Sequence, residues 1–276
     1  MNEEIVRKIV IDAIKEDIGT GDITTENVVD ENERSKAVII FKENGVLAGI
    51  PAIKMVFSEI DDDLEITLLR KEGEAVKIGE KVAEITGRTR SILMGERLAL
   101  NFLQRLSGIA TNTRRYVEKL EGTDAKVVDT RKTTPNLRIL EKHAVKVGGG
   151  TNHRMGLYDA ILIKDNHIRS AGGVKEAIKK VETGHTVKIE VEVESLDDIE
   201  EALEAGADII MLDNMESSEM QKAVEIIGGR AIIEASGGIT LENIRGIAEI
   251  GVDVISVGAL THQIRSIDIS LDLTEQ

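Results

Sequence analysis

The second half of the chain alternates apolar strands with amphipathic helices at an even spacing, and this pattern constrains the fold most. Four predicted strands end at Glu192, Asp213, Ser236 and Gly258, so that successive ends lie 21, 23 and 22 residues apart. Nearly continuous apolar strands separated by helices are typical of a parallel sheet that helices cover. The even spacing favours a (β/α) barrel over an open sheet with irregular insertions.

Six strands of this kind are predicted. They cover residues 126–129, 160–164, 187–193, 208–213, 231–236 and 252–258. A seventh or eighth strand is expected within residues 144–154, where three successive glycines obscure the pattern.

The first 110 residues show a different pattern. They predict a helix over residues 3–16, short strands within 36–50 and 64–86, and a long helix that carries Leu98, Phe102, Leu106 and Ile109 on one face. We therefore expect a separate domain of helices and sheet before the barrel.

Composition argues against several classes of protein. The net charge of −15 argues against a general nucleic-acid binder. The absence of cysteine excludes disulfides, zinc–thiolate sites and cysteine nucleophiles. The first 15 residues alternate charges with Ile and Val, so we expect no signal peptide, and no apolar run approaches the roughly 18 residues of a membrane span. We expect a cytoplasmic protein without membrane or nucleic-acid partners.

One stretch departs from the acidic background. Residues 126–169 contain nine Lys or Arg, only four acids and three of the five histidines. The stretch is either a solvated basic face or a pocket for an anionic ligand, and its composition leaves both open. The histidines lack the compact spacing of a zinc motif. His153 is the best candidate among them for substrate contact, because Arg154 follows it.

Cationic residues follow the predicted strands, at the end where barrel enzymes carry their chemistry. They are Arg131, Lys132 and Lys164, joined by Arg154 from the stretch between two strands. Arginine binds carboxylate or phosphate in a bidentate manner, whereas lysine acts as a compact point charge. Together these groups could neutralise a ligand with several negative charges, although each alone could equally form a surface salt bridge.

Two acids, Glu192 and Asp213, end neighbouring strands. Such a pair could hold Mg²⁺, bind ribose hydroxyls or stabilise a positive oxocarbenium centre. Glu190 and Glu194 alternate in step with Glu192, so a strand would place all three on one side. The alternative is that some of these acids merely balance the basic stretch.

Two loops with glycine follow the last two strands, at residues 236–238 (S-G-G) and 256–259 (S-V-G-A). Glycine lets backbone N–H groups approach a phosphate, and a following helix N-terminus adds a favourable dipole. Barrels commonly hold phosphate at this pair of loops. Each loop alone could be an ordinary turn, but the pair in these positions favours a phosphate site.

Several of these segments resemble the motifs of the quinolinate phosphoribosyltransferase family. The most specific are residues 129–133 (D-T-R-K-T) and 148–154 (G-G-G-T-N-H-R). Further matches, in family order, are residues 16–17, 21–25, 96–97, 106–111, 162–167 and 234–239. The matches span almost the whole chain. One departure is Gln263, at the border of a phosphate loop, where many relatives have Ser.

The resemblance implies a type II phosphoribosyltransferase-like α/β subunit. An N-terminal α/β sandwich would cover residues 1–110, joined by the C-terminal segment 265–276, and an incomplete (β/α) barrel would cover residues 111–264. The implied reaction joins quinolinate and phosphoribosyl pyrophosphate, with Mg²⁺ as cofactor, and gives nicotinate mononucleotide, pyrophosphate and CO₂ in de novo NAD biosynthesis. A homodimer is implied as the basic unit, and further assembly is left open.

The family's roles, carried over by position, fall on residues already singled out. Arg131, His153, Arg154 and Lys164 match quinolinate-binding and catalytic positions. Lys132 matches a motif lysine near the phosphates, and it joins Lys164 in the expected catalytic set.

The other carried-over roles concern the sugar, the phosphates and the partner subunit. Glu192 and Asp213 match catalytic acids near the ribose and the metal, and Arg97 matches an arginine that enters the partner's site. The remaining expected substrate-binding positions are Thr130, Ser236, Gly237, Gly238, Val257, Gly258 and Ala259.

Two rival interpretations stay open. A relative on the same scaffold, such as a nicotinate phosphoribosyltransferase-like enzyme or a molybdenum-cluster-associated paralogue, would differ in the acid it binds and in whether CO₂ leaves. The predicted cationic set carries more positive charge than a monocarboxylate requires. A non-catalytic sensor of a phosphate ligand would keep the barrel, and the acids Glu192 and Asp213 beside the phosphate loops argue against it.

Overall fold

The computed structural model describes residues 1–181 and 187–274. Its helices are α1 Glu3–Asp17, α2 Ile23–Val28, α3 Ile50–Ile60, α4 Thr89–Lys119, α5 Arg138–Val147, α6 Asp165–Ala171, α7 Val174–Lys179, α8 Leu196–Ala205, α9 Ser217–Ile227, α10 Ile244–Glu249 and α11 Ala259–His262. Its strands are β1 Arg34–Phe41, β2 Gly45–Val46, β3 Glu65–Leu68, β4 Ala75–Val76, β5 Lys81–Arg88, β6 Lys126–Val128, β7 Ile161–Ile163, β8 Ile189–Val193, β9 Ile209–Asp213, β10 Ile232–Ser236, β11 Val254–Ser256 and β12 Ile269–Thr274.

These elements form two compact units. The first contains residues 1–114, 133–149 and the C-terminal residues from 261 on, and the second contains residues 115–132 and 150–260. Residues 275 and 276 of the predicted C-terminal segment lie outside the described residues.

The first unit is built on an antiparallel sheet in the order β12-β1-β5-β3, with β2 and β4 forming a separate pair. α1 packs against α3, whose Phe57 is fully buried. A Cβ on Gly95 of α4 would lie 2.7 Å from the ring of Phe57, so glycine is needed where α3 and α4 meet. The unit is therefore the expected N-terminal domain of helices and sheet.

The predicted boundaries at residues 110 and 264 lie close to those of the units, but residues 133–149 belong to the first unit instead of the barrel. The reason is the packing of α5. Its buried Glu141 accepts hydrogen bonds from Arg105 of α4, with N–O distances of 2.7 and 2.9 Å. Gly148 lies so close to α4 that a Cβ there would lie 2.5 Å from the Ala110 carbonyl oxygen.

The second unit contains a six-stranded parallel sheet in the order β6-β11-β10-β9-β8-β7. Its central strands are buried along most of their length, as expected for parallel strands covered by helices. β6 and β7 form its edges, so the prediction of an incomplete α/β barrel is confirmed. The strand expected within residues 144–154 was wrong, since α5 runs to Val147 and Thr151 makes only a single bridge to Val128.

Asp61, just after α3, connects three elements of the first unit. Its carboxylate accepts hydrogen bonds from Arg88 at the end of β5 and from Ser91 in the first turn of α4, at 2.5 to 2.7 Å. The hydrogen bond from Arg88 is the largest cause of a lowered pKa, and it outweighs the effect of burial, which acts in the opposite direction.

We expect Asp61→Asn to lower the free energy of unfolding at pH 7 by about 1–3 kcal/mol, because a charge-assisted pair is lost at a buried site. A lowered folded-state pKa stabilises the fold above the usual value of 3.8, and this contribution is lost as the pH falls through the folded-state pKa. Denaturant titrations between pH 7 and pH 3 would measure it. The exposed neighbour Asp62→Asn is the control, and an equal effect of the two substitutions would contradict the assignment.

A search of the described helices found none that is both long and apolar enough to cross a membrane.

Candidate active site

A pocket of about 570 Å³ lies in the second unit, where the parallel strands end. It brings together most of the residues that the sequence singled out. Those lining it are Thr130, Arg131, Lys132, His153, Arg154, Lys164, Glu192, Asp213, Ser236, Gly237 and Gly238. Leu162, Met211, Asn214, Glu234 and Ser256 complete the lining.

The cations enter this pocket from three segments. Arg131 and Lys132 follow β6 in a turn in which Thr130 Oγ1 accepts the Lys132 N–H at 3.0 Å. Lys164 follows β7, and Arg154 lies on the connection before that strand, where its guanidinium donates to the Ala160 carbonyl at 3.2 Å. Part of the basic stretch at residues 126–169 therefore lines the pocket.

Arg154 and Arg131 lie close enough to repel each other. Burial is the largest cause that lowers the pKa of Arg154, and the positive charge of Arg131 lowers it further. Like charges held together in a partly buried site are stabilised by an anion placed between or beside them. This electrostatic arrangement favours an anion in the pocket.

The two acids lie on neighbouring strands of the same pocket. Glu192 of β8 is 9% exposed and accepts a short hydrogen bond of 2.5 Å from Lys164 Nζ. Asp213 ends β9, and its Oδ2 accepts from the side chain of Asn214 at 2.7 Å. Two carboxylates at adjacent strand ends offer the oxygen ligands that Mg²⁺ prefers.

The first predicted phosphate loop follows β10 and opens onto the pocket. Gly237 and Gly238 have φ values of 89° and 60°, in the region that favours glycine. A Cβ on Gly237 would lie 2.1 Å from Asn214 Oδ1, so no larger residue fits without a shift. A Cβ on Gly238 would meet nothing within 4 Å, so the backbone there has open space beside it.

The second predicted phosphate loop follows β11. Ser256 lines the pocket, while the next three residues, Val257, Gly258 and Ala259, lead into the short helix α11 and are not part of the lining. The Val257 N–H donates to the Val128 carbonyl at 2.9 Å, which ties this loop to β6.

Sequence reasoning assigned no role to Asp129, which the structure buries completely beneath the site. Its carboxylate accepts from the Asn152 side chain at 2.5 Å and from the His153 N–H at 2.9 Å. Asp129 therefore fixes the segment that carries His153 and Arg154. The signal available in the sequence was an acid at the end of an apolar strand, but its partners lie more than 20 residues away in the chain.

Sequence reasoning also assigned no role to a buried group beside His153. His153 Nε2 lies 3.2 Å from Glu190 Oε2 and 3.5 Å from Glu234 Oε2. His153 Nδ1 accepts the Arg154 N–H at 2.8 Å. We call His153, Glu190 and Glu234 the buried triad. The alternation of Glu190 with Glu192 in a predicted strand was the one hint of it in the sequence.

Burial and the two carboxylates act in opposite directions on the pKa of His153. Burial lowers the pKa of His153, but the hydrogen bonds and charges of Glu190 and Glu234 outweigh it and raise that pKa from 6.5 to about 10. Burial also raises the pKa of Glu190. Because Nδ1 accepts the Arg154 N–H, a proton on the ring lies on Nε2, where it faces the two carboxylates. The three ligand atoms lie within 4.8 Å of one another, a spacing that could also suit a metal ion.

Arg97 and the other two histidines of the basic stretch do not line this pocket. Arg97 lies on α4 in the first unit. His143 is in the same unit, with Nε2 3.2 Å from Glu72 Oε1. His167 lies in the second unit on α6, where its Nδ1 accepts the Lys164 N–H at 2.9 Å. His143 and His167 thus each have a hydrogen-bonding role.

Comparison with known proteins gives matches along the whole chain. The family model for the N-terminal domain of quinolinate phosphoribosyl transferase matches residues 22–107, and the model for its C-terminal domain matches residues 109–272. A protein of Bacillus subtilis, named probable nicotinate-nucleotide pyrophosphorylase [carboxylating], is 46% identical over 276 residues, which cover 99% of this chain and 95% of the relative. A protein of Methanocaldococcus jannaschii with the same name is 44% identical and covers 99% of both chains.

The fold has matches among solved structures as well. The nicotinate-nucleotide pyrophosphorylase of Francisella tularensis superposes with a TM-score of 0.95 at 42% identity, over 99% of this chain and 98% of that one.

Proposed function

Because the chain belongs to the quinolinate phosphoribosyltransferase family, we propose that it transfers the phosphoribosyl group of phosphoribosyl pyrophosphate to quinolinate. A bond forms between the pyridine nitrogen and the anomeric carbon as the bond from that carbon to pyrophosphate breaks. Loss of the 2-carboxylate as CO₂ leaves its bonding electron pair at C2, which takes up a proton to give nicotinate mononucleotide, a precursor in de novo NAD biosynthesis. The observation that carries the proposal is the gathering of four cations, two acids and a glycine loop in one pocket.

Quinolinate carries two carboxylates. The four cations that line the pocket, which we call the cationic wall, have the groups to bind both; they are Arg131, Lys132, Arg154 and Lys164. Arg131 and Arg154 offer planar guanidinium groups that can each hold a carboxylate through two hydrogen bonds. Lys164 adds a point charge beside them, and its present partner Glu192 keeps it oriented. Relief of the repulsion between the two arginines favours the bound state.

The acids and the loops serve the sugar phosphate. Transfer at the anomeric carbon develops oxocarbenium charge, and the carboxylates of Glu192 and Asp213 are suited to stabilise it without reorganisation. Backbone N–H groups at residues 236–238, with Lys132, would bind the phosphates. Once ribosylated, the ring nitrogen is cationic and draws electron density from C2, which makes loss of CO₂ possible without a further organic cofactor.

We propose Mg²⁺ as the metal cofactor, chiefly bound through the pyrophosphate of the substrate. Glu192 and Asp213 would be its protein ligands, and their oxygen donors fit the preference of this cation. When bound, the metal would neutralise charge on the leaving pyrophosphate.

A cytosolic location is part of the same proposal, and the absence of cysteine supports it.

The nearest rival function is phosphoribosyl transfer to nicotinate or another monocarboxylate. The purified protein should convert quinolinate, phosphoribosyl pyrophosphate and Mg²⁺ to nicotinate mononucleotide with release of CO₂, measured by chromatography and trapped label. Turnover of nicotinate in place of quinolinate would favour the rival. Binding of both substrates without turnover would favour a non-catalytic sensor.

We further propose a homodimer in which Arg97 enters the partner's pocket. The support is the match of Arg97 to a family position with that role. Arg97→Ala and Arg131→Ala proteins should each be nearly inactive, and mixed subunits should regain up to about a quarter of wild-type activity, since one of four possible site compositions is intact in random dimers. Gel filtration and labelled subunits would verify exchange. Verified exchange without recovery would refute the shared site.

A further inference from the structure

Glu234 carries the one side-chain oxygen, among the polar side-chain atoms of the described residues, that is buried without a hydrogen-bond partner. The residue is 2% exposed, and its other oxygen faces His153 Nε2 at 3.5 Å. A buried carboxylate with so few partners lowers the stability of a fold. Because Glu234 stabilises nothing else visible in the described part of the chain, its position beside the pocket needs a functional reason.

Glu190 faces the same imidazole nitrogen, with its Oε2 3.2 Å from His153 Nε2. β9 runs between β8 and β10, so Glu190 and Glu234 come from the two strands that flank it. Alternate strands of a barrel place their inward side chains in one layer. The two glutamates therefore form a layer beneath Glu192 and Ser236, and His153 Nε2 lies within 3.5 Å of both glutamates.

This arrangement leaves the His153 ring little freedom to rotate. Nε2 faces two carboxylates, and Nδ1 accepts the backbone N–H of Arg154. A ring held at both nitrogens also fixes the backbone from which the Arg154 side chain starts. The negative charge of Glu190 acts on Arg154 as well, since it opposes the lowering of that pKa.

We propose that Glu190 and Glu234 are positioning residues that act through His153 to hold the quinolinate-binding side of the pocket in its productive geometry. The inference rests on the proposed function and names two residues that act on the pocket through His153. It predicts a selective defect. Binding of quinolinate should suffer, while binding of phosphoribosyl pyrophosphate, which relies on the glycine loops, should not.

The test uses Glu190→Gln and Glu234→Gln, which keep the side-chain shape and remove the charge. Each should raise the KM for quinolinate by about 10- to 100-fold, the range expected when a hydrogen bond to a charged group is lost. The KM for phosphoribosyl pyrophosphate should change by less than about twofold, within the scatter expected for independent sites. Glu194→Gln, an exposed glutamate just beyond the end of β8, is the matched control and should behave as wild type.

A double-mutant cycle separates positioning from a general structural role. In a His153→Ala background, neither glutamine substitution should raise the KM for quinolinate further, because the group they act through is gone. If His153→Ala does not fold, His153→Gln takes its place. If one glutamine variant does not fold, the other still provides the comparison of the two KM values.

Three results would each overturn the inference. The first is the same rise in the KM for quinolinate with and without His153, and the second is an equal rise in KM for both substrates. A third would be glutamine variants indistinguishable from Glu194→Gln. If wild-type protein does not turn over quinolinate at all, the proposed function fails instead, and the two failures are thus distinguishable.

Discussion

Replacing Arg154 by leucine should lower kcat/KM for quinolinate about a thousandfold, which corresponds to about 4 kcal/mol of lost transition-state binding. The guanidinium is partly buried beside Arg131, and it is held by the Ala160 carbonyl and by the fixed backbone at His153. Without the Arg154 guanidinium, a carboxylate of the bound quinolinate would be left in the pocket without its positive partner. Steady-state kinetics with each substrate varied in turn would measure the effect.

Two further variants sharpen this experiment. Arg154→Lys keeps the charge but loses the planar pair of donors, so it should fall between wild type and leucine. Arg245→Leu, on α10, removes an arginine whose partners are Glu249 and backbone carbonyls outside the pocket, and it should keep near-normal kinetics. Near-normal kinetics in Arg154→Leu would show that this cation does not bind the substrate.

Removing the charge of Glu192 or Asp213 should lower kcat by about 100- to 1000-fold, the usual effect of losing one preorganised group that faces transition-state charge. The KM for quinolinate should change far less, because these carboxylates repel rather than bind that dianion. Glu192→Gln also deprives Lys164 of its charged partner. It is therefore expected to have the larger effect of the two.

Rapid-quench measurement of the transfer step, at several Mg²⁺ concentrations, would test this prediction. Glu225→Gln, an exposed glutamate on α9, is the control. If higher Mg²⁺ restored kcat in the Glu192→Gln or Asp213→Asn proteins, their main role would be to hold the metal. A fall in KM alone, with kcat unchanged, would contradict the role of these acids in the transition state.

The barrel could be predicted because its signal is local and periodic. Strand ends expected at residues 213 and 236 agree with β9 and β10, and the end expected near residue 192 is within one residue of that of β8. The strand expected within residues 144–154 falls where α5 ends and three glycines follow it. Residues 138–147 carry an amphipathic helical pattern, and the glycines that follow it obscure where the helix ends.

The sequence predicted most of the residues that gather in the pocket, and much less of their geometry. Cations, acids and glycines at strand ends could be found because parallel strands bring their carboxyl ends together. The contacts of Asp129 and of the buried triad depend on residues 23 to 81 positions apart, and no local pattern encodes such distances. The assignment of residues 133–149 to the first unit depends in the same way on the long-range pair of Arg105 and Glu141.

The central claim is that the pocket binds a two-carboxylate ring through its arginines and lysine. A crystal structure of the protein soaked with quinolinate would test it most directly. We predict one carboxylate within hydrogen-bonding distance of Arg131 or Arg154, the other near a second cation of the same wall, and the ring nitrogen facing the acids Glu192 and Asp213. Quinolinate bound outside this pocket, or bound in it without contact to any of these cations, would contradict the account.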